Sequence, residues 1–136
     1  MKTNDLMLGD LVYIKSGRRP IQGPGRVGQF CKTMMWVRPL DDDKEVIDAY
    51  IDLFEPIELT NDMLVLNGFG KSEDTDWFWL EGFPFNLSRY IYRDPSVYEV
   101  SVGNGGIVKT IKYVHELQNL LRVVGLEELA NNFKLN

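Results

Sequence analysis

Cys31 and His115 are the only cysteine and the only histidine in the 136 residues, and together they bound the chemistry open to the chain. A thiolate nucleophile needs a base at hydrogen-bonding distance and a turn that presents the sulfur. The segment around Cys31, Gln29-Phe30-Cys31-Lys32-Thr33, has no such turn signal. His115-Glu116-Leu117-Gln118-Asn119 is one residue short of the H-E-x-x-H zinc motif. The second ligand belongs one helical turn on, and Asn119 stands there. A catalytic zinc needs three protein ligands, and a lone His with a lone Cys falls short. His115 and Glu116 are expected on the polar face of a helix.

Three further patterns fail on mechanism. Gly23-Pro24-Gly25-Arg26-Val27-Gly28 spells G-x-G-x-x-G. Dinucleotide binding needs a helix to open from that motif so that its N-terminus meets the pyrophosphate. Here strand-like residues follow, and Pro24 stiffens the backbone, so a plain turn is expected. Gly70-Lys71-Ser72 resembles the end of a phosphate loop, but Val65 occupies the position of the first glycine. The acidic run Asp41, Asp42, Asp43, Glu45, Asp48 and Asp52 misses the calcium-loop spacing, with Val46 at position six and Asp52 at position twelve. It reads as a solvated hairpin. No cofactor and no metal site is expected, and an enzyme is disfavoured.

Two features remain. Lys15, Arg18, Arg19 and Arg26 form a basic loop near Tyr13 and Trp36. Cations for phosphates and aromatics for bases or prolines are what small β-domains use to hold nucleic acid or peptides. The second is Trp77, Phe78, Trp79, Phe83, Phe85, Tyr90 and Tyr92, seven aromatics within sixteen residues. One helix can cover only one face of an antiparallel sheet. Some of these rings therefore pack elsewhere or meet a partner. Trp77 and Trp79 join Trp36 and the basic residues as the candidate binding surface.

These residues need elements to position them. Leu11–Lys15 reads as a strand, Ser16–Gly25 as a loop, Arg26–Phe30 and Thr33–Arg38 as strands, and Glu45–Ile51 as a fourth. Residues 53–59 read as a connector containing Pro56. Thr60 caps a short helix that Asn67-Gly68 ends. Gly70–Asp76 reads as a polar turn. Strands follow from Trp77, Phe83 and Val97, and Gly103-Asn104-Gly105-Gly106 signals a hairpin into Ile107–Ile111. Tyr113, Leu117, Leu120, Leu121 and Val124 make one helical stripe ending at Gly125. A last short helix is expected over 127–133.

The predicted fold is thus α+β and β-rich. Residues 1–56 are expected to form an SH3-like small β-barrel, with an open meander as the rival arrangement. Residues 57–136 form an α+β subdomain, an antiparallel meander packed on one amphipathic helix.

Charge is uneven. Residues 1–38 carry net +5, residues 39–76 net −10 and the rest zero, giving −5 overall. An acidic whole is a poor general polyanion binder, while the basic first third can form a local patch. A single cysteine fits a reducing compartment. The opening MKTNDLMLGD lacks an apolar leader core, and no run approaches the ~20 residues that cross a bilayer. A cytoplasmic location without membrane partners is expected.

Leu8-Gly9-Asp10-Leu11-Val12, Glu55-Pro56-Ile57-Glu58-Leu59-Thr60, Leu66-Asn67-Gly68-Phe69 and the closing Tyr113-Val114-His115-Glu116-Leu117-Gln118-Asn119-Leu120 resemble a family of small uncharacterised proteins. That family is common in gut Bacteroidetes genomes, their phages and mobile elements. The resemblance spans nearly the whole chain and implies a cytoplasmic, mobile-element setting. It brings no activity and no site residue. The resulting expectation is a non-catalytic binding or interaction module with a protein partner. The alternative is a nucleic-acid-binding accessory protein of a phage or mobile element, acting through the basic loop.

Overall fold

The computed structural model describes residues 6–14, 23–30, 34–40, 47–50, 54–89, 94–103 and 105–136, and gives the backbone alone at 29, 30, 34 and 47–50. The chain divides into two compact units, Met1–Ile57 and Glu58–Asn136. Lys15, Arg18 and Arg19 of the expected basic loop, Cys31, the expected hairpin tip Asp41–Lys44, and Tyr90 and Tyr92 lie outside the described residues.

The first unit holds five strands: β1 (Leu11–Ile14), β2 (Gly23–Phe30), β3 (Met34–Pro39), β4 (Ile47–Tyr50) and β5 (Phe54–Pro56). They form one antiparallel sheet in the order β4-β3-β2-β1-β5. Among the described residues no β4–β5 ladder closes the sheet, so no closed barrel is present there. Leu6, Val12, Ile14, Val27, Met35, Val37 and Phe54 make its buried cluster. Their alternation with exposed Tyr13, Trp36 and Arg38 gives the sheet one buried and one outer face.

The Gly9-Asp10 pair that opens β1 has a local cause. Gly9 has φ 87°, which suits glycine. The Asp10 carboxylate accepts the Met7 N–H at 2.8 Å and is fully buried.

Two local expectations are corrected here. Gly23-Pro24-Gly25, read as loop, is the start of β2. A Cβ at Gly25 would lie 2.5 Å from Val37 Cγ1, so the glycine serves close strand packing and not a turn. The expected connector contains β5. Its Pro56 sits on an edge strand, where a missing N–H is tolerated.

The second unit begins with α1 (Asn61–Leu66), whose N-cap Thr60 accepts the Met63 N–H at 3.2 Å. Asn67 ends it, and Gly68 follows at φ 95°. Then come β6 (Gly70–Lys71), β7 (Trp77–Trp79), β8 (Phe85–Ser88), β9 (Tyr98–Val102) and β10 (Ile107–Ile111), an antiparallel sheet in the order β10-β9-β8-β7-β6. The turn expected from Gly70 therefore starts with a short strand. α2 (Val114–Val123) and α3 (Glu127–Asn131) close the unit. Asn67 also ties down the far end of the chain: its Nδ2 donates to the Lys134 carbonyl and its Oδ1 accepts the Lys134 N–H.

The stripe expected on α2 is rotated. Val114, His115, Leu117, Gln118 and Leu121 are buried, while Tyr113, Leu120 and Val124 are only partly covered. His115 is thus not on a polar face: it is buried and stacks on Tyr113 at 5.9 Å between centroids. Apolar spacing alone misjudged the helix because two polar residues lie inside. Gln118 Nε2 donates to the Ala130 carbonyl of α3 at 2.9 Å, which supports its burial. Glu116 accepts the Lys112 and Tyr113 N–H groups, satisfying donors at the helix start.

Candidate functional site

Strand β7 is Trp-Phe-Trp, and the period of two sends its rings to opposite faces. Phe78 is fully buried and meets Tyr98 edge-on at 6.2 Å between centroids. Leu87, Val100 and Ile111 are buried as well. Trp77 and Trp79 face the other way, 43% and 47% exposed. Residues directly opposite in an antiparallel pair share a face. Ser88 stands opposite Trp77, Glu99 opposite Ser88, and Thr110 opposite Glu99. The outer face thus combines two exposed indoles with the buried Ser88, the partly covered carboxylate of Glu99 and the exposed Thr110.

Gly70 lies opposite Trp79, and the indole rests against it. A Cβ at Gly70 would fall 2.5–2.7 Å from Cε2, Cζ2 and Nε1 of the ring. Trp79 is thereby backed by main chain on one side while remaining open to solvent.

Carboxylates flank both ends of β7. Glu73 and Asp74 precede Trp77, and Glu81 follows Trp79; all three are exposed. Asp76 is used differently. Arg89 Nε and Nη2 both donate to its Oδ2, at 3.1 and 3.0 Å, and Lys71 Nζ is 4.0 Å from Oδ1. Burial pushes the Asp76 carboxyl up. Hydrogen bonds from Asn61 and Arg89, with the charges of Arg89 and Lys71, outweigh it and hold the group below its ordinary range. The Tyr98 hydroxyl donates to Asn61 Oδ1 at 2.6 Å, and the Arg89 guanidinium lies 5.5 Å from the Tyr98 ring centroid. Burial pushes the Tyr98 hydroxyl up to about 12. This Tyr98–Asn61–Asp76–Arg89 network joins α1 to the sheet. Sequence reasoning missed it because its members are spread over residues 61–98.

The other candidates fall on the first unit. Trp36 is 47% exposed on the outer face of β3. Arg38, also exposed, lies directly opposite Arg26 of β2. Arg26 is partly covered, and its Nη1 donates to the Gly9 carbonyl at 3.3 Å. The G-x-G-x-x-G stretch lies wholly in β2 and opens no helix, so it is a strand and not the expected turn. Gly70-Lys71 is likewise a strand.

Among the described residues, no group of three or more His, Cys, Asp or Glu side chains could hold a metal ion. No helix among them is long and apolar enough to cross a membrane. Comparison with protein-family models, curated proteins and solved structures finds no match.

Proposed function

We propose that this chain is a non-catalytic binding module whose working surface is the open face of the second sheet. One observation carries the reading: Trp77 and Trp79 stand side by side on one strand and both remain exposed. Burying an indole contributes several kcal/mol in a fold. Leaving two on one face forgoes that gain, and contiguous exposed aromatics mark recognition surfaces. The resemblance to the Bacteroidetes family, which brings no activity, agrees with a cytoplasmic accessory role. The first unit is read as SH3-like in its strand arrangement, supported by a five-strand antiparallel sheet whose last strand returns to pair with the first, without closure among the described residues.

The test is site-specific photo-crosslinking in the full chain. A crosslinker at position 79 is expected to trap a discrete partner. The same group at Val123, 76% exposed on α2, is expected to trap none. Equal labelling from both positions, or none from either, contradicts the proposal.

A second reading has its own observation. Arg26 and Arg38 face each other beside Trp36, an arrangement that fits phosphate and base contacts. Nucleic acid bound there would be released steeply by salt and lost in Arg26→Ala and Arg38→Ala variants. Absence of binding to single-stranded and duplex probes at low salt removes this reading.

A further inference from the structure

We infer that the open face of β7 takes an extended, arginine- or lysine-bearing segment of a protein partner. The inference rests on the binding-module reading and names the chemistry of the partner. Its basis is charge complementarity around the two indoles. Residues 58–136 carry eleven acids against seven Lys and Arg, net −4. Three of those acids, Glu73, Asp74 and Glu81, are exposed in the turns at the two ends of β7. Among the described residues, Arg89 is engaged with Asp76 and Lys71 lies close to the same carboxylate.

Among the described residues, the outer-face positions Trp77, Trp79, Ser88, Glu99 and Thr110 supply no cation. Indole is the best aromatic host for a guanidinium or ammonium group, and a flanking carboxylate strengthens the attraction. Trp77 and Trp79 are two residues apart, about 7 Å along the strand. That is also the spacing of alternate side chains on an extended peptide. An extended partner can therefore present one cation per indole while its ends meet the carboxylates. A polyanion would meet Glu73, Asp74 and Glu81 instead, which disfavours nucleic acid on this face.

The experiment uses the full chain and three synthetic peptides of about six residues, long enough to span β7 and both turns at ~3.4 Å per residue. One alternates arginine with glycine, one glutamate with glycine, and one serine with glycine. A single-stranded oligonucleotide is the fourth probe. Binding is followed by indole fluorescence and calorimetry.

The arginine peptide alone is expected to bind, more weakly as salt rises. Affinity is expected to fall about tenfold, equivalent to about 1.4 kcal/mol, in Trp79→Ala and in the triple variant Glu73→Gln, Asp74→Asn, Glu81→Gln, as loss of a cation–π or paired-charge contact implies. The triple variant changes only exposed side chains, so it remains informative if Trp79→Ala folds poorly. Equal or tighter binding of the glutamate peptide, the serine peptide or the oligonucleotide overturns the inference. So does arginine binding that neither variant weakens. If no peptide binds while position 79 still crosslinks a partner, the inference fails and the binding-module reading stands. If crosslinking fails too, both fall.

Discussion

The indole of Trp79 occupies the space where a side chain at Gly70 would begin: a Cβ there would sit 2.5 Å from Trp79 Cε2. Glycine at 70 is thus a condition for Trp79 lying against β6. Gly70→Ala forces the ring or the strand to move, and overpacking of this kind costs about 1–3 kcal/mol. The expected outcome is a lower denaturation midpoint with an unchanged m-value, and a shift in tryptophan emission. An unchanged emission spectrum would mean that the ring does not rest there.

The Tyr98 hydroxyl, held near 12 against an ordinary 10.0, sets an alkaline limit. A tyrosine that keeps its proton more tightly when folded stabilises the fold fully below the unfolded value. That contribution is lost as pH climbs from about 10 to about 12. Thermal scans should show this alkaline loss in the wild type and a flatter limb in Tyr98→Phe. The variant should also lose about 1–2 kcal/mol at neutral pH, because the Asn61 acceptor loses its donor.

Asp76 behaves in the opposite sense. Its carboxyl is lowered in the folded state, so its contribution is present above the ordinary value of 3.8 and fades as pH falls below it. Asp76→Asn should cost about 1 kcal/mol at neutral pH, a modest figure because the pair is partly exposed. It should also flatten the acid limb of stability against pH. Equal acid sensitivity in variant and wild type would remove Asp76 from the account.

Gln118 tests the corrected helix face. It is fully buried and holds the Ala130 carbonyl of α3. Gln118→Leu keeps the bulk and strands the carbonyl, at a cost of about 1–3 kcal/mol. Val123→Ala, on the exposed face of the same helix, should stay within about 0.5 kcal/mol. Similar effects at both positions would contradict the rotated stripe.

Much of this was legible in the residues. Thr60 and Asn67-Gly68 bracket α1 because capping is local chemistry. The alternation of Trp77, Phe78 and Trp79 contains the two-faced strand, once period two is applied to the aromatics. What stayed hidden depends on contacts distant in sequence. Gly25 looks like a loop residue until Val37 is seen pressed against it. Gln118 looks like surface until α3 supplies its acceptor. Pro56 looks like a strand breaker until its strand proves to be an edge.

The most direct test of the central claim is the set of three indole N–H signals in a two-dimensional NMR spectrum of the full chain, assigned with single Trp→Phe variants and followed as the arginine peptide is added. The Trp77 and Trp79 signals are expected to move together and saturate while Trp36 stays in place. Movement of Trp36 alone, or three stationary signals at high peptide concentration, would contradict it.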